Sequence, residues 1–135
     1  MVVTVAAEQD LAGDEFRELG SRARSQPPPA HIVFDSLRDP HELSTRHWLT
    51  LLPDEIEPRV LEQLRPSLVV WSSLWPARPR DIVRFELSPD QGGGCLLRWT
   101  LLSPEPESPP EAQLGHLRKR LNVLINEKLR LSYGS

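Results

Sequence analysis

Residues 80–103, RDIVRFELSPDQGGGCLLRWTLLS, consist of two alternating segments joined by a glycine-rich turn. Alternation of apolar and polar residues with a period of two is typical of strands that bury one face. The apolar positions on one face are Val83, Phe85 and Leu87 before the turn and Cys95, Leu97, Trp99 and Leu101 after it. Glycines supply the positive φ values that tight turns require. The stretch therefore predicts an antiparallel hairpin.

Charge predicts the register of this hairpin. Pairing Phe85 with Trp99 places Glu86 opposite Arg98 on the outer face, whereas a slip of two residues places Arg84 opposite Arg98. Facing opposite charges stabilise a sheet by a few tenths of a kcal/mol up to about 1 kcal/mol, and facing like charges destabilise it similarly. We therefore predict the register that pairs Phe85 with Trp99.

The 135-residue chain contains 14 prolines, about twice the average share. Proline lacks a backbone donor and clashes with the preceding helical turn, so this content excludes an all-helical bundle. The prolines at 27–29 suit the first turn of a short helix over His31–Leu37, which ends before Pro40. The length corresponds to one domain, 1–135, in which 1–26 is a poorly defined strand or tail.

A second short helix is predicted between the first helix and the sheet. It begins at His41 or Glu42 and continues toward Trp48 and Leu51, because apolar residues there recur at helical spacing. Pro53 ends it.

The remaining elements are two further strands and one long helix. Period-two patterning predicts strands over Arg59–Leu64 and Ser67–Trp75. A helix of ~34 Å is predicted over Glu111–Tyr133 (111–133). Its apolar stripe is Leu114, Leu117, Leu121, Leu124, Ile125 and Leu129. The residues predicted to face water on it include Arg118, Lys119 and Arg120.

This order of elements resembles the START/SRPBCC superfamily, which includes the birch-pollen allergen type, polyketide cyclases and the activators of the ninety-kilodalton heat-shock chaperone. The matching stretches are Pro28–Pro40, Trp48, Val70–Ser73, Gly92–Gly94 and Gly115–Leu117. The resemblance implies an α+β helix-grip fold, with a shortened antiparallel sheet of about five or six strands wrapped on the C-terminal helix. The two short helices would lie near its N-terminal side.

The predicted first strand, directly before Pro28, has a poor strand pattern in Leu19–Ser25. Without that strand the sheet would have an exposed edge, and we would expect a homodimer through it.

The resemblance also implies a cavity between the sheet and the last helix, so we expect non-enzymatic binding of a hydrophobic or amphipathic small molecule there. The residues predicted to line it are Trp71, Phe85, Trp99, Leu117 and Leu121. Large apolar side chains suit such a site, although in a short domain the same residues also serve as core. Two alternative functions are a protein-interaction or co-chaperone-like module, and a cyclase or hydrolase that uses Asp81 and His116 as an acid–base pair.

The net charge and the positions of the arginines limit the classes of binding partner. A net charge of −3 does not favour nucleic acid, whose phosphates attract a dense basic surface. Arg78, Arg80, Arg84 and Arg98 are interpreted as a solvated outer sheet face, with recognition of an anionic group or an acidic partner as the alternative.

Cys95 is the single cysteine, so the sequence excludes an internal disulfide and a cysteine-cluster metal site, and we expect a cytoplasmic protein. The four scattered histidines show no zinc-helix spacing, so no metal or cofactor is predicted. No apolar run approaches the ~20 residues needed to span a bilayer.

Overall fold

Five antiparallel strands and a long C-terminal helix form the fold in the computed structural model, which describes residues 15–41 and 47–134. The strands are β1 (Arg17–Gln26), β2 (Val60–Leu64), β3 (Leu68–Ser72), β4 (Ile82–Pro89) and β5 (Cys95–Ser103). Their order in the sheet is β1-β5-β4-β3-β2. This is the predicted α+β helix-grip architecture, with the strand number at the lower end of the expected range.

The β4–β5 hairpin has the predicted register. Phe85 pairs with Trp99, and Glu86 lies opposite Arg98. Gly92 and Gly93 adopt φ values of 83° and 93° in the connecting turn, a backbone region that glycine enters without steric cost. The apolar positions of the inner face are all buried, as the alternation predicts.

Strand β1 is present despite its poor sequence pattern, and it pairs antiparallel with β5 from Arg17 to Gln26. β1 therefore covers the edge of β5 that a missing first strand would have left exposed. Only Leu19 and Gln26 are buried along β1, and a register shift follows Glu18. An edge strand with so few buried residues shows little alternation of apolar and polar residues, which explains why its sequence pattern predicts a strand only weakly.

The first short helix, α1 (Ala30–Arg38), matches the prediction. Pro29 precedes it in an extended conformation, and Val33, Phe34 and Leu37 are buried on one side. The predicted second helix falls partly on residues 42–46, outside the described residues. Its described end, 47–51, is not helical. There the Thr50 carbonyl accepts a side-chain hydrogen bond from Arg120, which holds it in an irregular conformation.

The C-terminal helix, α2, has three consecutive parts: Glu111–Val123 is α-helical, Leu124–Leu129 is π-helical, and Arg130–Ser132 closes it. Its apolar stripe packs on the inner sheet face through the buried side chains of Leu117, Leu121, Leu124, Ile125 and Leu129. The prediction that Arg120 faces water is wrong, because that residue is buried and bound to Glu55.

Strand β3 is shorter than predicted and ends at Ser72. The Ser73 hydroxyl then accepts from the Trp75 N–H and donates to the Trp75 carbonyl, so these backbone groups bond locally and leave the sheet ladder.

The sheet carries apolar residues on both faces. The main core lies between the inner face, α1 and α2, and a smaller group on the outer face comprises Val70, Ile82 and Leu102 with Phe16, Leu61 and Leu68. In the described part of the chain, no helix is long and apolar enough to cross a bilayer.

Candidate functional site

The inner sheet face carries a set of packed aromatic rings. Trp71 meets Phe85 edge to face, with ring centroids 4.7 Å apart, and stacks on Trp48 at 6.0 Å. Both arrangements are those that aromatic quadrupoles favour. The Trp71 Nε1–H donates to the Leu37 carbonyl at 2.9 Å, which ties the end of α1 to the sheet.

The five residues predicted to line a ligand site belong to one buried cluster. Trp71, Phe85, Trp99, Leu117 and Leu121 are each at most 2% exposed and contact the same core. The sheet supplies the three aromatic residues, and α2 supplies the two leucines from above. The structure therefore brings these residues together, and their contact with a ligand stays a prediction.

Sequence reasoning missed a set of polar atoms in the same interior. Gln26 is 2% exposed, and within the described structure neither its side-chain oxygen nor its nitrogen has a hydrogen-bond partner. The same holds for Asn126 Oδ1 and for Trp99 Nε1. A buried polar atom without a partner costs about 1–3 kcal/mol, so such atoms are rare unless water or a ligand satisfies them. The sequence gives no signal for these atoms, since Gln26 is buried only through its pairing with Cys95 on β5.

Two titratable groups near this end of the sheet are held neutral. Burial, assisted by the charge of Asp90, raises the pKa of the Cys95 thiol to about 11. Burial also raises the pKa of Tyr133, although its hydroxyl donates to Ser36 Oγ at 2.9 Å. A neutral, buried thiol is a small apolar group and a poor nucleophile.

The acid–base pair proposed for a cyclase or hydrolase does not form. Asp81 is buried and accepts from Arg78 Nε at 2.5 Å. His116 lies on α2, is exposed, and contacts Asp54 at 3.3 Å. The two residues therefore belong to separate ion pairs.

Asp54, Glu55 and His116 place their potential ligand atoms within 4.8 Å of one another. Both oxygens of Glu55 accept from Arg120, and Oε1 also accepts from the Leu52 N–H. Burial raises the pKa of Glu55, but the hydrogen bonds from Arg120 and Leu52, with the Arg120 charge, outweigh it and leave the pKa below its usual value. A guanidinium already occupies the position of a cation here, so the group is an ion-pair network.

The four arginines predicted on one face have separate partners. Arg78 binds Asp81, Arg80 lies 3.6 Å from Glu105, and Arg84 lies 3.6 Å from Glu86. Arg98 donates to Ser21 Oγ at 2.9 Å. Arg84 on β4 and Arg98 on β5 fit the interpretation as a charge-balanced outer face, whereas Arg78 precedes β4 and its side chain is only 12% exposed.

None of the five predicted site residues lines either of two clefts on the described surface. One, of about 160 Å³, lies at the outer face between Phe16, Leu61 and Ile82. The other, of about 460 Å³, lies between Arg78 and the proline-rich segment that precedes α2.

Comparison with known proteins supports the fold. No protein-family model matches the chain, and no curated protein sequence matches it. Among solved structures, CalU16 from Micromonospora echinospora superposes with a TM-score of 0.63 at 16% identity, covering 90% of this chain and 84% of its own. An AHSA1-like protein from Rhizobium etli gives a TM-score of 0.55 at 18% identity, with 89% and 84% covered.

A third structure, the Aha1 dimer from Colwellia psychrerythraea, gives a TM-score of 0.59 at 13% identity, with 83% of this chain and 92% of that chain covered. At these identities the similarity concerns architecture and leaves activity undetermined. The strand order, the antiparallel register and the long C-terminal helix together show that this chain has the START/SRPBCC-like helix-grip fold.

Proposed function

We propose that the protein binds a hydrophobic or amphipathic small molecule between the inner sheet face and α2. The observation that carries this proposal is the π-helical segment Leu124–Leu129, four of whose six residues are buried, three of them in the core against the inner face. π-helical turns are rare and occur frequently at functional sites. The ligand-contacting residues would be Trp71, Phe85, Trp99, Leu117 and Leu121.

The π-helical segment gives a physical route to an adaptable interior. Its wider hydrogen-bonding pattern is less favourable than that of an α-helix, so the two patterns are close in free energy where packing compensates. Conversion between them shifts the side chains of α2 relative to the sheet. A ligand that fills the resulting space would replace core contacts with contacts of the same apolar chemistry.

Binding without catalysis is the form of this function that the site chemistry supports. The Cys95 thiol is neutral, and the Asp81 carboxylate is already bound by Arg78. Asp81 was one member of the acid–base pair that the sequence offered for a cyclase or hydrolase.

The experiment is a titration of the protein with N-phenyl-1-naphthylamine, a neutral aromatic probe, followed by the fluorescence of the probe. Leu121→Trp adds volume beneath α2 and should abolish binding, while Leu131→Trp on the same helix is the matched control, since Leu131 is 64% exposed. Circular dichroism establishes that both variants are folded. Absence of probe binding to the wild-type protein, or equal binding by folded L121W, would contradict the proposal.

The second candidate is a homodimer through the β2 edge. Among the described strands β2 ends the sheet, and Leu64 at its end is 62% exposed. The opposite edge is engaged by α2, because Arg118 donates to the Leu19 carbonyl and Arg130 to the Ser25 carbonyl. An open edge strand is a template for pairing with a second copy.

Sedimentation equilibrium checks this dimer. We expect a dimer that Gln63→Pro converts to a monomer, since proline cannot donate to an added ladder. A wild-type monomer at all concentrations would exclude it. The cytoplasmic location remains a prediction from the single cysteine.

A further inference from the structure

We propose that the Gln26 end of the interior recognises one neutral hydrogen-bonding group on the ligand, such as a hydroxyl or a carboxamide. This inference rests on the proposed function and adds the chemical class and orientation of the ligand. The apolar part of the ligand would lie among the aromatic residues, and its polar group would lie between Gln26 and Asn126.

Gln26 is placed by its strand. It is the last residue of β1, directly opposite Cys95, and its side chain is buried although the two preceding residues are exposed. In the described part of the molecule both polar atoms of its amide are without a partner. A glutamine buried in this way raises the free energy of the unliganded protein, and a partner for its amide removes that cost.

Asn126 is brought to the same end of the interior by contacts between β1 and α2. Arg24 donates to the Asn126 carbonyl at 2.9 Å, and Arg130 donates to the Ser25 carbonyl at 3.0 Å. Both contacts involve the two residues of β1 that directly precede Gln26. The Asn126 side chain donates to Asn122 at 2.7 Å, while its Oδ1 is buried and without a described partner.

Asn126 also belongs to the π-helical segment that carries the proposed function. The unsatisfied atoms at this end are thus two acceptors, Gln26 Oε1 and Asn126 Oδ1, and one donor, Gln26 Nε2. A hydroxyl or a carboxamide can donate to an acceptor and accept from the amide nitrogen, so it complements this set.

The charge of the surroundings selects a neutral group. Burial raises the pKa of both Cys95 on β5 and Tyr133, which directly follows α2, so both side chains are neutral at this end. The nearby cations, Arg24 and Arg130, are directed to backbone carbonyls. Asp90 accepts a hydrogen bond from Ser25 Oγ and places a negative charge near this end, so a carboxylate would meet a like charge as well as lose its hydration, which is strongly unfavourable.

The test is equilibrium dialysis of the wild-type protein against naphthalene, 2-naphthol and 2-naphthoate, which share one ring system. We expect 2-naphthol to bind about tenfold more tightly than naphthalene, the equivalent of one hydrogen bond to a buried partner, and 2-naphthoate to bind most weakly. Gln26→Met, close in volume, should remove the preference and retain naphthalene binding. Gln63→Met, at an exposed position on β2, is the matched control.

The outcomes separate the two proposals. If naphthalene and 2-naphthol bind equally to the wild-type protein, or if folded Q26M retains the preference, the polar-group inference is overturned while ligand binding stands. If no member of the series binds, the proposed function and this inference both fail. Should Q26M not fold, Asn126→Leu tests the same prediction, because it removes one acceptor and should reduce the preference.

Discussion

Arg120 on α2 forms a buried, two-point ion pair with Glu55 in the segment before β2. The Nε–Oε2 distance is 2.7 Å and the Nη2–Oε1 distance is 2.8 Å, and the two side chains are 10% and 0% exposed. Arg120 Nη2 also donates to the Thr50 carbonyl at 2.9 Å. Arg120 therefore holds the irregular segment before β2 in contact with α2.

Removing one partner of this ion pair should be strongly destabilising. Arg120→Met leaves the Glu55 carboxylate buried without its cation, a change that typically costs about 3–5 kcal/mol in the free energy of unfolding. Urea denaturation measures the loss. Lys119→Met, at the adjacent exposed position, is the control and should change the free energy by less than about 0.5 kcal/mol.

Replacing both partners should restore most of that stability. In Glu55→Met/Arg120→Met no unpaired charge remains in the interior, so the double variant should exceed R120M in stability. A double variant that is less stable than R120M would contradict this and show that Glu55 stabilises the fold without Arg120, through the hydrogen bond that it accepts from the Leu52 N–H.

The Glu55 carboxylate should also make the free energy of unfolding depend on pH in the acidic range. The pKa of Glu55 is lowered from 4.5 in the folded protein, so below about pH 4.5 the unfolded chain binds a proton that the folded chain does not. The stabilisation of the fold by ionised Glu55 is therefore fully present above pH 4.5 and is lost as the pH falls through the lower pKa of the folded protein. Glu55→Gln should show a shallower loss of stability than wild type from pH 5 to 3, as followed by urea unfolding at each pH.

Two glycines should respond oppositely to alanine. A Cβ at Gly94 would lie 2.4 Å from the Gln26 carbonyl oxygen, which is backbone and cannot move aside, so Gly94→Ala should destabilise by about 1–3 kcal/mol. Gly115 lies inside α2 with nothing within 4 Å of such a Cβ. Gly115→Ala should therefore raise stability by up to about 1 kcal/mol, because alanine has the higher helix propensity.

Thermal melts of the two variants measured side by side test this contrast. A stabilised G94A would contradict the close approach of the β1 and β5 ends.

The thiol of Cys95 should be inert in the folded protein. Its pKa of about 11, against an ordinary value of 9.0, leaves roughly a hundredfold less thiolate near pH 8, and burial also excludes the reagent. Reaction with 5,5′-dithiobis(2-nitrobenzoate) at pH 8 should therefore be at least about a hundredfold slower than in 6 M guanidinium. Comparable rates in the two conditions would contradict a neutral, buried role for this residue.

The local sequence pattern was sufficient to predict the helices and strands whose buried face follows from their own spacing of apolar residues. The period-two stretches at 80–103 and the proline boundaries predicted β4, β5, α1 and α2, and the opposite charges of Glu86 and Arg98 predicted the correct register. In the structure, however, Glu86 lies near Arg84 and Arg98 donates to Ser21, so this charge pair does not hold the register. A slip of two residues would leave every side chain on the same face, so the turn, closed by the hydrogen bond from the Asp90 N–H to the Gly94 carbonyl, is the stronger cause.

The sequence by itself thus determined the hairpin, the long amphipathic helix and the grouping of Trp71, Phe85 and Trp99 on one face. It could do so because the periodicity along a strand or a helix assigns each side chain to a face. Tertiary structure alone decided the presence of β1, the burial of Arg120 and the unsatisfied amide of Gln26. Each of these depends on a partner 65 or more residues away, such as Glu55 for Arg120 or Cys95 for Gln26. No local pattern carries information about such pairings, since they form only when the sheet closes on α2.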